Sequence, residues 1–374
     1  MRTRAVIFTG IRLENPFLLS SAPPTESETN ILRAFDAGWG GVVIKTIGMH
    51  PISNVVGART KFFRTTPDDN NVSMKKRPGA ALHGSWNWEL VSDRPLDWWV
   101  PRIRRMKQAY PTRVIIASII AGSNSDMELR HWQMLAEECQ DAGADGLECN
   151  LSGRHVERRA AGPNADAEEV IRSVVIEAVK EVARVPVWAK LAPTTLDVVT
   201  EAAACFRAGA DAVVSSNTFP SLPLIDPETL EFEINVDGLI STGGLGGPAI
   251  LPMSLATMAR MCQAFPERAF SAVGGISDFS QALSYFLLGA GTVQVCTAAM
   301  LDQAVGPNVI RRLNVGLDTF LARHADLGWN GVEDFRGIRR NRVVAQSQIR
   351  RPDGDPHPSG HVEGYATPEA GVRA

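Results

Sequence analysis

The chain has 374 residues, 44% hydrophobic and 21% charged, an ordinary globular composition that suits one large α/β barrel or two smaller domains. A formal charge of −3 carries no basic excess, so nucleic-acid binding is not expected. The five cysteines, at 139, 149, 205, 262 and 296, form no CxxC or metal-spaced cluster; disulfides and zinc or iron–sulfur ligation are not expected, and a reducing cytoplasm is the default.

The opening MRTRAVIFTGIRLENP has no long apolar stretch of the signal-peptide kind. RAVIFTG and IRLENPF read as an N-terminal hairpin closing a barrel floor. Four later segments read alike: DAGWGGVVIKT, DAGADGLECN, RAGADAVVSSN and LGAGTVQVCT. Each follows a helix-like stretch and carries a glycine suited to a left-handed C-cap, then a turn, then an apolar run. Such short, nearly all-apolar runs suit parallel strands covered on both faces. They end in Lys45, Asn150, Asn217 and Thr297. FLLSSA (17–22), VIIASII (114–120), VPVWAKL (185–191) and FSAVGGI (270–276) complete eight strands. Helices are expected at 27–37, 167–183, 196–208 and 252–264. This alternation predicts an α/β (β/α)8 TIM barrel over residues 1–325 rather than a doubly wound open sheet. An insertion at 49–105 after strand two carries Trp86, Trp88, Trp98 and Trp99. A C-terminal extension covers 326–374; its Gly-, Pro- and charge-rich end from Asp353 is expected to be mobile or to lie on the surface. The apolar runs fall far short of the ~20 residues that span a bilayer.

Active sites of such barrels lie at the C-terminal ends of the strands. Those ends read Ser20-Ser21-Ala22, Lys45-Thr46, Asn150-Leu151-Ser152, Lys190, Ser216-Asn217-Thr218, Gly274-Gly275 and Cys296-Thr297. The list holds two lysines and no carboxylate. Two lysines facing one pocket repel unless an anion sits between them; the other reading has both reaching solvent at the rim. VGGIS and CTAAM after strands seven and eight, with STGGLGG after strand six, offer backbone N–H groups to a phosphorylated ligand.

NPFLLSSAPPTESETNILRAFDAGWGGVVIKT, WNWELVS, ASIIAG, LECNLS, VWAKLAP, SSNT, GGLGGPAI, AVGGIS and VQVCTA occur in the order found in the FMN domain of dihydropyrimidine dehydrogenases. From about residue 10 to about 313 the chain resembles that family and, more distantly, the class 1 dihydroorotate dehydrogenases. The resemblance implies a non-covalent FMN at the barrel mouth. Ser20, Ser21, Ala22 and Thr46 would line the flavin, with Lys45 and Lys190 near its ring and ribityl chain; such a lysine stabilises the anionic reduced form. Gly246, Gly247, Gly274, Gly275, Cys296 and Thr297 would cradle the phosphate, Cys296 through its backbone rather than as a reactive thiol. Asn87, Glu89, Asn150, Asn217 and Thr218 would hold a pyrimidine ring, since an amide matches its C=O and N–H edge. Asn217 would also border the cofactor.

The chain departs from the family where its acid/base cysteine or serine follows Asn-Leu-Ser, for here that position is Gly153. A missing acid/base typically costs about 10²–10⁴ in rate. Ser152, His155 and Glu157 are the nearest replacements, with Lys190 also counted among the catalytic candidates. The alternatives are a substrate that needs no such group, or a site that only binds. The family's ferredoxin module and a nicotinamide fingerprint are both missing. Electrons must then pass to a separate reductase subunit, a soluble acceptor or dioxygen. A homodimer is expected from the class 1 resemblance. The reading is an FMN-dependent oxidoreductase, a specialised relative acting on a C–C or C–N bond of a small nitrogen heterocycle. Its rivals are a flavin-free Schiff-base lyase on Lys190 or Lys45 and a non-catalytic flavin or nucleobase binder.

Overall fold

The computed structural model describes residues 2–52, 60–65, 72–75, 79–123, 125–152, 168–193, 197–345 and 348–349. Gly153, His155, Glu157 and the tail from Asp353 lie outside them.

Eight parallel strands close a barrel: Phe17–Leu19, Gly41–Val43, Val114–Ile120, Gly146–Asn150, Val187–Lys190, Ala212–Ser215, Ala269–Val273 and Thr292–Val295. Each pairs with the next, and the last returns to the first with Val293 opposite Phe17. The predicted (β/α)8 fold is therefore present. Helices Glu28–Ala37, Asp126–Asp141, Val198–Arg207 and Phe279–Leu288 end beside Gly38, Gly143, Gly209 and Gly289, all at positive φ. This is the left-handed C-cap that the repeated segments encode. The chain then re-enters the barrel at once, which keeps successive strands adjacent.

The N-terminal hairpin pairs Val6–Phe8 with Ile11–Leu13. Phe8 packs edge-on against Trp188 at 5.2 Å, and Trp188 Nε1 donates to Thr9 Oγ1 at 3.0 Å. These contacts plug the floor. At the other end of the chain, Phe335 is fully buried and packs on Phe286 at 6.4 Å, so the first part of the extension covers the barrel wall.

Over the mouth lies a second, antiparallel sheet of five strands: Phe219–Ser221, Gly243–Gly246, Ala81–Asn87, Thr60–Thr65 and Val72–Ser73. It joins the insertion after strand two to the loop after strand six. STGGLGG is thus partly a strand, where the sequence suggested only a loop. Its glycines permit this. A Cβ on Gly243 would stand 2.3 Å from Asn87 O and 2.5 Å from the Trp86 ring. Trp86 is fully buried, and its Nε1 donates to Ser221 O at 3.1 Å.

The loop after strand seven is fixed from the helix that follows it. Asp278 caps Phe279–Leu288 by accepting from Ser280 N at 2.8 Å. Gln281 Oε1 accepts from Asp278 N at 2.8 Å and Ser277 N at 3.2 Å. Burial raises the Asp278 carboxyl, but hydrogen bonds from Ser280 and Gln281 prevail and hold it below its usual range. A depressed folded-state value means that the stabilisation exists above the unfolded value and fades as pH falls through the folded one. Asp278→Ala should cost about 1 kcal/mol near neutral pH. In denaturant titrations the gap from wild type should close below about pH 4, where the unfolded carboxyl protonates.

Candidate functional site at the barrel mouth

A cavity of about 500 Å³ occupies the C-terminal ends of the strands beneath the antiparallel sheet, a size in the range of small-molecule and cofactor sites. Every candidate residue drawn from the sequence that the structure describes lines it; His155 and Glu157 lie outside the described residues.

The first group is ionic. Lys45 Nζ, at the end of strand two, donates to Glu89 Oε2 at 3.0 Å, with both side chains nearly buried. Thr60 Oγ1 donates to Glu89 Oε1 at 3.2 Å. Lys190 Nζ lies 3.7 Å from Oε1 of Glu148, whose side chain is fully buried. The strand-end reading of two lysines without a carboxylate is corrected here. Glu148 sits two residues before Asn150 on the same strand, and the period of two turns both side chains to one face. Glu89 arrives from the insertion. Neither lysine extends to the rim, because burial of an ammonium is tolerable when a carboxylate accompanies it.

The second group is a chain of amides and hydroxyls. Asn217 Nδ2 donates to Ser152 Oγ at 2.5 Å, and Ser152 Oγ donates to Asn150 Oδ1 at 2.6 Å. Asn150 Nδ2 donates to Thr46 Oγ1 at 3.1 Å. Thr46 Oγ1 is 3.0 Å from Ser118 Oγ and 3.1 Å from Ser21 Oγ. Asn217 Oδ1 accepts from Thr218 N at 2.8 Å, and Asn87 Nδ2 donates to Gly244 O at 3.0 Å. Every amide orientation is thus fixed before a ligand arrives.

The third group is built from glycine turns. Gly247, Gly274 and Gly275 all have positive φ. A Cβ on Gly274 would stand 2.4 Å from Ser254 Oγ, and one on Gly275 would stand 2.6 Å from Leu251 Cβ. Only bare backbone fits there, and that backbone borders the cavity. Tyr285 OH pins the turn by donating to Gly274 O at 2.8 Å. Ser85 Oγ lies 2.9 Å from Thr297 Oγ1 and ties the roof to the loop after strand eight. Burial pushes the Cys296 thiol up to about 11, outweighing the opposing pull of Lys190 and Lys45. A thiol so far from ionisation is a poor nucleophile at neutral pH.

The donor set offers bare backbone for a phosphate, buried lysines and hydroxyls for a charged ring system, and amides for a flat polar ring, all lining one cavity. FMN has the first two features and a heterocyclic substrate the third. Among the described residues no group of three or more His, Cys, Asp and Glu can hold a metal ion, and no helix is long and apolar enough to cross a membrane. Glu148, Thr60, Ser85, Ser118 and Gln294 were missed by reading strand ends alone. Alternation within LECN contained the signal for Glu148.

The model of the dihydroorotate dehydrogenase family matches residues 4–320. The chain belongs to that family. It is 33% identical over 350 residues to the NAD-dependent dihydropyrimidine dehydrogenase subunit PreA of Escherichia coli, covering 93% of this chain and 79% of that one. The chloroplastic dihydropyrimidine dehydrogenase (NADP(+)) of Arabidopsis thaliana is 32% identical over 339 residues, 89% of this chain and 76% of that one. The catalytic subunit of dihydroorotate dehydrogenase B (NAD(+)) of Pyrococcus furiosus is 27% identical over 329 residues, 88% of this chain and 96% of that one. As a dihydroorotate dehydrogenase family member the chain is an oxidoreductase, and the family match spans the barrel, the roof and the mouth.

The Lys45–Glu89 pair links barrel to roof, so its loss should be felt in stability. Glu89→Ala strands a buried ammonium and should cost about 3–5 kcal/mol, the range for breaking one side of a buried pair. Urea unfolding of the two proteins at matched pH and salt measures the difference.

Proposed function

We propose that the chain binds FMN and oxidises or reduces a C–C or C–N bond of a small nitrogen heterocycle of dihydropyrimidine type. The observation that carries this is that glycine turns, two lysines with carboxylate partners and three oriented asparagines all line one cavity. Backbone N–H groups of Gly247, Gly274, Gly275 and Thr297 would hold the phosphate, with Gly246 and Cys296 completing the cradle. Ser20, Ser21, Ala22, Lys45, Thr46 and Lys190 would line the flavin. Asn87, Glu89, Asn150, Asn217 and Thr218 would face the substrate ring. Bound FMN supplies hydride transfer to or from the ring carbon.

Ser152 is assigned the task of orienting Asn150 and Asn217. Its proton points at an amide oxygen, and neither amide partner can pass a proton onward at ordinary pH. A ring nitrogen can release its own proton to water, so a substrate oxidised beside nitrogen would need no carrier at Gly153. The carboxylate partners of Lys45 and Lys190 speak against the Schiff-base lyase, which needs an unpaired amine.

Electrons would leave through a separate reductase subunit. The five cysteines show no iron–sulfur spacing, and the relatives from Escherichia coli and Pyrococcus furiosus are themselves named as subunits. A dimer of this chain is the expected assembly.

The purified protein should show flavin bands near ~450 nm and release a cofactor of FMN mass. A dihydropyrimidine should bleach those bands anaerobically. A colourless protein that refuses added FMN would sink the proposal, and borohydride trapping of an adduct on Lys190 or Lys45 would replace it with the lyase. Ser152→Ala should raise KM by up to about tenfold, the worth of one lost hydrogen bond, while kcat stays within a few-fold. A kcat loss of about 10²–10⁴ would instead make Ser152 the proton carrier.

A further inference from the structure

The geometry points to Glu148 as a positioning residue that sets how much of the Lys190 charge reaches a flavin ring at the mouth. This rests on the FMN reading above and deepens it.

The two lysines are held differently. Lys45 is hydrogen-bonded to Glu89 at 3.0 Å. Lys190 Nζ makes no hydrogen bond among the described residues; its carboxylate neighbour is Glu148 Oε1 at 3.7 Å. Its N–H donors therefore remain available to the mouth. Lys190 stands level with Asn150 across the parallel pair, and Glu148 is level with Trp188, one inward step deeper.

Glu148 is itself aimed. It is fully buried. Its Oε2 accepts from Gln294 Nε2 at 3.0 Å, and the same Nε2 lies 3.4 Å from Ser271 Oγ. Its Oε1 is buried with no hydrogen-bond partner. A carboxylate oxygen left without a donor beside an ammonium contributes through charge alone. In a low-dielectric interior that charge is weakly screened. The field of Lys190 already reaches the end of strand eight, where it and Lys45 both pull on the Cys296 thiol. The carboxylate beneath Lys190 draws the ammonium toward itself, so it sets how far Nζ reaches toward the mouth.

Reduction places negative charge on the flavin ring, so the potential rises with the uncompensated positive charge nearby. With Glu148 intact the Lys190 contribution is damped. Removing the carboxylate while keeping its shape releases that contribution.

The test is potentiometric titration of the FMN-loaded protein against redox dyes, with FMN affinity measured in parallel. Glu148→Gln should raise the midpoint potential by at least about 30 mV, a tenfold change for a two-electron couple. In a Lys190→Met background the same substitution should raise the potential by clearly less, the non-additivity expected when one residue acts through another. Glu148→Asp keeps the charge but withdraws it, and should give a smaller rise; it carries the test if the glutamine variant does not fold. Unchanged potential in a folded, FMN-loaded Glu148→Gln protein overturns the inference alone. An equal rise with and without Lys190 also overturns it, since Glu148 would then act directly. A wild-type protein that takes up no FMN overturns the functional reading and this inference together.

Discussion

Two ammonium groups are buried at one barrel mouth, and much of the architecture serves to make that tolerable. An unaccompanied buried ion costs several kcal/mol even after relaxation. Lys190 is balanced from below by Glu148 on the neighbouring strand, and Lys45 from above by Glu89 on the insertion. The first pairing is internal to the barrel. The second requires the insertion to lie over the mouth in one register. The roof is therefore coupled to the charge state of the site as well as to the hydrophobic contacts of Trp86.

That coupling explains why two distant segments share a sheet. The strand Ala81–Asn87 is paired on one side with Thr60–Thr65 and on the other with Gly243–Gly246. Asn87 ends that strand and Glu89 follows it, so the register that sets one sets the other. Glycines opposite Asn87 and Ser85 let the backbones approach. Side chains at Gly243 or Gly244 would collide with Trp86 or Thr218. The loop after strand six thus delivers Thr218 and Gly246 to the mouth while closing the sheet above it.

The barrel was legible in the sequence because parallel strands covered on both faces leave a distinctive trace: a C-cap glycine, a turn, an apolar run and a polar end. Four copies of that trace placed Lys45, Asn150, Asn217 and Thr297 at strand ends, and the structure brings all four to one cavity. The roof was not legible. Its two halves pair across more than a hundred residues, and GGLG carries no alternation of side chains from which to read a strand. The carboxylate partner of Lys190 escaped for a different reason. Charge balance is a property of neighbours in space, and a list of strand ends omits the residue one inward step below. His155 and Glu157 lie outside the described residues.

The Asn-Leu-Ser lip shows what the absence of a side chain at Gly153 leaves behind. Ser152 is bonded on both sides to asparagine amides, and Asn150 continues the chain through Thr46 into the barrel wall. Such a chain is suited to recognition. Each amide has its donor and acceptor ends assigned in advance, so a ring edge with the complementary pattern meets little reorganisation, whereas an edge with the reversed pattern leaves buried groups unpaired. It is poorly suited to proton relay, because an amide cannot accept a proton at one end and release it at the other without changing its bonding. On the proposed reading this lip keeps recognition but not proton transfer, and the heterocycle's own acidity then decides which substrates can turn over.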